Sequence, residues 1–341
     1  MSTQFIVSRV NAAFVGLLLI SMGGVSLAAD VITIKFSHVV ARDTPKGQAA
    51  DLFAQKVNEY TGGKVKVEVY PNSTLYKDKE EMEALQLGAV QMLAPSLAKF
   101  GPLGVKEFEV FDLPFIFDDY NDLHTVTQGP VGKTLMSKLD AKGIKGLAFW
   151  DNGFKSFSAN TPIRTPADLK GKKMRIQSSK VLEEQMRTLG SLPQVIPFSE
   201  VYQSLQTGVV DGTENPISNV YTQKMHEVQK YLSLTRHGYL GYAVIVNKPF
   251  WDGLPADIRG QIEHAMKDAT LQANTTAEKQ NDADLELIRK SGKTQITVLS
   301  KEERMAFKKA LIPVHQKMES RIGKDIIQEV YRETKFDPNG L

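Results

Sequence analysis

The chain has 341 residues, with 42 Lys and Arg against 39 Asp and Glu, and a formal charge of only +3. That balance gives no basic field for nucleic acid, and the absence of cysteine removes thiolate nucleophiles, thiolate metal sites and redox motifs. A chain of this length buries enough core to fold without disulfides, and its length suits about two domains.

The first 28 residues read as an export signal. Arg9 is their only charge, residues 12–20 form an apolar run, and small residues lead to Ser26-Leu27-Ala28. This three-part pattern predicts cleavage after Ala28 or Ala29. The run is shorter than the roughly 20 apolar residues of a comfortable membrane span, and no later segment is long and apolar enough to supply one. The expected mature protein is soluble and exported.

The elements then follow in order. In VITIKFSHVV, Ile32, Ile34 and Phe36 share one face of a strand. Thr44-Pro45 starts a helix as N-cap and first helical residue, and Thr61-Gly62-Gly63 stops it. KVKVEVY alternates as a strand, 79–87 is helical, and 90–93 is a third strand. This β-α-β-α-β order predicts a parallel, doubly wound sheet. The alternation resumes with a strand at 144–149, a short capped helix at Thr165-Pro166-Ala167-Asp168 and a strand around Arg175. A helix at 180–189, a helix at 200–206 and a strand at 209–212 complete a second α/β unit. The apolar strand 239–246 is expected to cross back to the first unit. Residues 255–290 form one very long helix or two, 296–299 an edge strand, and 301–336 more helix.

Arg175 stands between Met174 and Ile176, so it points away from two core residues. A buried arginine needs an anionic partner, and its planar fork matches a carboxylate with two parallel hydrogen bonds. Two partners fit: the carboxylate of a ligand, or a distant Asp or Glu of the chain. His38, Ser96, Lys155 and Asn215 also lie at or just beyond the ends of apolar strands, where open α/β sheets bind ligands.

Four segments carry a resemblance: FSHVVARDTPKGQAADLFA, GGKVKVEVYPNSTLYKDKEEMEALQLGAVQMLAPSLAKF, WDNGFKSFSANTPIRTPADLKGKKMRIQSS and FSEVYQSLQTGVVDGTENP. In this order and spacing the chain resembles the solute-binding proteins of tripartite ATP-independent periplasmic (TRAP) transporters, of the DctP family, across essentially the whole mature length. It is most similar to the branch that binds C4-dicarboxylates such as succinate, fumarate and malate. The resemblance implies an α/β, two-domain periplasmic-binding-protein-like (Venus-flytrap) fold with chain crossovers and a long hinge-spanning helix. The expected division is 29–152 with 241–280 as one domain and 153–240 with 281–341 as the other, after a signal peptide at 1–28. It implies a periplasmic protein, a monomer by default, that uses no cofactor and hands its ligand to small and large membrane subunits.

By the same resemblance, Arg175 is the carboxylate anchor, Asn215 assists it, Phe198 lines the pocket, and Lys155 fills a second basic position where many members carry arginine. Ser96 falls where sugar-acid binders carry a glutamate, which favours a second ligand carboxylate. Physically, Lys155, Lys46 and the helix start after Thr44 offer positive charge to that carboxylate, and His38 and Tyr239 offer neutral donors. For Lys46 the alternative is a solvated helix-start lysine. For His38 the alternative is a hydrogen-bonded core histidine, and Tyr239 reads more readily as core than as contact.

Rival functions have little in the sequence. The six histidines lack metal-ligand spacing, and neither HExxH nor GxSxG occurs. QGPVGKT at 128–134 ends like a phosphate loop, but Thr127 stands where its first glycine belongs, so it reads as a helix start around Pro130. An exported acid-modifying enzyme, or a binding protein feeding a sensor kinase or an ATP-driven importer, are the alternatives.

Overall fold

A computed structural model describes residues 31–338; the export signal expected at 1–28 lies outside the described residues. The first unit forms as its pattern predicts. Strand β1 (Ile32–Ser37) leads to helix α1 (Pro45–Tyr60), where the Thr44 hydroxyl accepts the Gly47 N–H at 3.1 Å. Strand β2 (Val65–Tyr70), helix α2 (Glu81–Gln86) and strand β3 (Met92–Leu93) follow. Both β2 and β3 pair with β1 in parallel. Helices α3 (Tyr120–Gln128) and α4 (Pro130–Lys138) come next, and Pro130 opens α4 as its position predicts.

Strand β4 (Ile144–Ala159) is far longer than the segment 144–149 legible in the sequence. Beyond Phe149 the apolar alternation gives way to Asn152, Gly153, Lys155, Ser156 and Ser158, yet the strand continues because β7 and β8 pair with it on either side and bury these residues. The second unit holds strand β5 (Lys173–Ile176), helix α5 (Lys180–Thr188), strand β6 (Leu192–Val195), helix α6 (Val201–Gln206), strand β7 (Gly212–Asn215) and helix α7 (Ile217–Thr222). Strand β7 lies beyond the expected 209–212, because Val209 is exposed in a turn and the polar GTEN run carries the ladder.

Strand β8 (Tyr231–Asn247) runs antiparallel to β4 over nearly its full length, with register breaks at Gly146/Ala148, Asp151/Gly153 and Lys155/Phe157. The sheet order is β2-β1-β3-β8-β4-β7-β5-β6, so the two long strands join the parallel groups on either side. Helix α8 (Lys248–Gly253) leads into α9 (Ala256–Ser291), one uninterrupted helix of 36 residues, about 54 Å at 1.5 Å per residue. Its first half contributes Ile258 to Ala273 to the core under β1 and α1, and its last turns place Ile288 in a separate core with Val201, Val220 and Leu232. Strand β9 (Gln295–Val298) adds in parallel to the start of β8. The region 301–336 is three helices, α10 (Lys301–Leu311), α11 (Pro313–Ile322) and α12 (Lys324–Thr334), broken at Pro313 and Gly323.

Candidate functional site

The C-terminal ends of β1, β3, β5 and β7 converge on one crevice, the place where open α/β sheets bind ligands. Arg175 is 2% exposed, while Met174 and Ile176 on either side of it join the core. Its Nε donates to the Ile196 carbonyl at 2.9 Å, and its guanidinium carbon lies 5.8 Å from the centre of the Phe198 ring. Among the described residues no carboxylate lies within ion-pair distance of it, and its terminal nitrogens make no protein hydrogen bond. Burial draws its pKa down to about 10, with Asp78 and Glu214 acting in the opposite direction, so it is a cation at neutral pH. The distant-acid alternative for Arg175 thus takes the form of two remote fields, not of an ion pair.

Arg175 lines a cavity of about 380 Å³ together with Gln177 and Ser178. Ser96, Phe198 and Asn215 line an adjoining space of about 20 Å³ with Asn219 and Tyr242. Asp78, Lys99 and Gln177 belong to the walls of both and separate them. Asp78 accepts the Phe198 backbone N–H and pairs with Lys99, which also pairs with Glu81. Burial alone lowers an ammonium pKa, but these two carboxylates outweigh it and raise that of Lys99. None of Asp78, Lys99 and Gln177 is singled out by the sequence. Asp78 and Lys99 lie inside the quoted segment NSTLYKDKEEMEALQLGAVQMLAPSLAKF, where charges at helix starts look like solvated ones.

A chain of amides orients Asn215. Its Oδ1 accepts from Asn219 Nδ2 at 3.3 Å; Asn219 Oδ1 accepts from Asn152 Nδ2 at 2.9 Å, which also reaches the Tyr242 hydroxyl at 2.6 Å. Asn152 Oδ1 accepts the Ser218 hydroxyl at 2.8 Å. All these groups are buried. An amide carries two donors, and Asn215 directs its nitrogen at the Thr213 hydroxyl at 3.3 Å and the Met225 sulfur at 3.8 Å.

The four other expected site residues line neither cavity. Lys155 meets a carboxylate of the chain itself. The β4–β7 ladder sets Ser156 opposite Asn215 and Phe157 opposite Glu214, and the Lys155 ammonium lies 2.6 Å from Glu214 Oε1 with both side chains buried. The other Glu214 oxygen accepts from Gln185 at 3.0 Å and from His237 Nε2 at 2.7 Å. Because an ionised carboxylate only accepts, Nε2 carries the proton and Nδ1 accepts the Thr235 hydroxyl at 2.7 Å. Burial alone would raise the Glu214 pKa, but Lys155 and His237 outweigh it and bring it to about 2. The Lys155 charge is therefore committed to a protein carboxylate.

Lys46 is not a solvated helix-start lysine: it is 1% exposed, donates to the Ala94 carbonyl at 2.9 Å and sits 3.6 Å from the centre of the Tyr242 ring, directly behind the cavity wall. His38 is buried, with neither ring nitrogen in a well-formed hydrogen bond; burial and Lys46 take its pKa to about 3, so it is neutral. Tyr239 packs in the core against Phe117 and Phe154 and donates to Asp151 Oδ1 at 2.8 Å, so the core alternative holds for it.

The chain is similar to known proteins. Residues 36–321 match the DctP family, described as bacterial extracellular solute-binding protein, family 7. The C4-dicarboxylate-binding periplasmic protein DctP of Rhodobacter capsulatus is 62% identical over 323 residues, covering 94% of this chain and 97% of that protein. A TRAP periplasmic solute-binding protein from Sulfurospirillum deleyianum, solved with bound succinate, superposes with a TM-score of 0.85 at 47% identity, over 88% of this chain and 98% of that one. A second, from Pseudomonas aeruginosa with bound L-malate, gives 0.82 at 43% identity, over 84% and 99%. A buried arginine at the end of a strand, in a crevice between parallel sheet segments, is thus found in a chain that belongs to the DctP family of bacterial extracellular solute-binding proteins.

Proposed function

We propose that this protein captures a C4-dicarboxylate (succinate, fumarate or malate) in the periplasm, after removal of residues 1–28, and delivers it as a monomer to the small and large membrane subunits of a TRAP transporter for ion-gradient-driven uptake. The observation that carries this reading is Arg175, a buried cation at the crevice with the end of its fork unclaimed among the described residues. The succinate and L-malate bound by the related structures support it. Arg175 holds one carboxylate, with Asn215 beside it. Phe198 and Ser96 shape the pocket, and Lys46 supplies positive potential from behind Tyr242. Lys155 acts by fixing Glu214 and its strand, His38 is a neutral buried group beside Lys46, and Tyr239 braces the core. The two domains, 29–152 with 241–280 and 153–240 with 281–341, close over the ligand while β4, β8 and α9 cross between them, and the Asp78–Phe198 bond spans the closed cleft. Closure is favoured to the extent that the ligand binds the closed form more tightly.

A thermal-shift screen of small organic acids tests this. A C4-dicarboxylate at 100 times its dissociation constant should add about 2.7 kcal/mol of stability, against little for a C4 monocarboxylate. Stabilisation by hexonates and none by any C4 diacid would refute the assignment.

The pH profile tests the part given to Lys46. Burial takes its pKa down to about 7, with Lys99 acting in the same sense and Glu81 and Asp78 against it. Succinate stays dianionic above about pH 6, whereas Lys46 loses its proton above about pH 7. Affinity should therefore fall a few-fold from about pH 7 to about pH 9, and Lys46→Met should bind weakly with a flat profile. An unchanged slope in that variant removes Lys46 from ligand recognition. The stability term has the opposite sense. The unfolded chain keeps the Lys46 proton up to about pH 10.5, so the ligand-free protein gains stability across that window as pH rises.

A further inference from the structure

A larger cavity, of about 720 Å³, shares no wall residue with the Arg175 cleft. It lies among α4, the first half of β4 and α9. Strand β7 pairs only with residues 156–159 of β4, so the first half of that strand is a sheet edge with β8 on one side alone. Its half-buried Leu147 and Phe149 line the cavity with Met136 and Met266 as its apolar floor, and Leu271 stands 67% exposed at the rim. Methionine adapts to irregular apolar guests, and the volume falls within the roughly 300–1,000 Å³ of ligand pockets.

The charges around this floor are one-sided. Lys133 comes from α4, Lys145 from β4 and Lys267 from α9, and none of the three has an ion-pair partner among the described residues. Glu263 is the one carboxylate in the lining. Three uncommitted ammonium groups on three elements, around an apolar floor, match an anion with an apolar body. An extended peptide fits less well: Asn274 already accepts the Asp151 N–H at 2.9 Å and donates to the Phe149 carbonyl at 3.3 Å, interrupting the edge that strand addition needs. We infer that this groove is a second ligand site, for a small amphiphilic anion of the medium-chain carboxylate type, independent of the Arg175 cleft.

Calorimetry with decanoate, on the purified protein with and without excess succinate, tests this inference. One decanoate should bind per chain in both conditions. The Lys133→Gln/Lys267→Gln variant, altered at two exposed positions, should keep its melting temperature and its succinate affinity yet bind decanoate at least about ten-fold more weakly. Decanol should bind more weakly than decanoate by a similar factor. No decanoate binding, equal binding by the lysine variant, or displacement by succinate would each overturn the inference, the last by placing the probe in the Arg175 cleft. Binding of an acidic extended peptide without binding of decanoate would overturn it in favour of a protein partner. Because the lysine variant leaves Arg175 intact, failure here is separable from failure of dicarboxylate binding.

Discussion

Arg175→Ala is expected to weaken dicarboxylate binding by about 100- to 1,000-fold, equivalent to about 3–4 kcal/mol, because the ligand carboxylate would be left desolvated without its charge partner. Arg175→Lys should recover little of this. A lysine keeps the charge but loses both the bond to the Ile196 carbonyl and the two-pronged fork that it aims. The ligand-free protein should respond differently. A buried cation with no ion-pair partner is a cost to the fold, so alanine should leave its stability unchanged or raise it. Calorimetry with succinate and denaturant unfolding without it separate the two effects. Wild-type affinity in Arg175→Ala would show that the anion is held elsewhere in the crevice. Large destabilisation of the ligand-free variant would show that Arg175 serves the fold.

Asp78 sharpens that expectation. It is held by Lys99 and by the Phe198 N–H, and its field reaches Arg175. A ligand carboxylate brought to Arg175 adds negative charge close to Asp78, a repulsion the lysine offsets. The crevice therefore presents Arg175, Lys99 and, behind Tyr242, Lys46 against Asp78 and the more deeply placed Glu81, a surplus of positive charge suited to a dianion.

How much of this was legible in the sequence depends on whether a residue's partner lies near it along the chain. The strand–helix alternation up to β3 followed from local apolar spacing and from caps such as Thr44. The placement of Arg175 followed from strand alternation and the cost of a buried charge. The lengths of β4 and β8 were not legible, because the second half of β4 and the first half of β8 carry buried polar groups that meet partners across strands. Lys155 and Glu214 stand 59 residues apart, and only the antiparallel β4–β7 pairing brings them together. The same applies to Asp78, which meets Phe198 over 120 residues. Lys155 thus read as an available cation because the carboxylate that claims it is visible only in the folded register.

Lys155→Met is expected to destabilise the fold by about 3–5 kcal/mol, the usual cost of stripping one partner from a buried ion pair. Glu214 would keep Gln185 and His237 as donors but lose its only permanent cation within hydrogen-bond distance. Pairing it with Glu214→Gln should restore much of the loss, since neither buried charge then remains unmatched, and the double-mutant cycle measures the coupling directly. The wild-type pH profile carries the same signature. The Glu214 pKa is lower in the folded state than in the unfolded one, so its contribution is full above about pH 4.5 and is lost as pH falls toward about 2. Glu214→Gln should flatten that acid limb. Because Lys155 lines neither cavity, Lys155→Met should reduce affinity for mono- and dicarboxylates in the same proportion, through the displaced β7 and Asn215. A selective loss of dicarboxylates, with stability intact, would instead mean that Lys155 leaves Glu214 and meets the ligand itself.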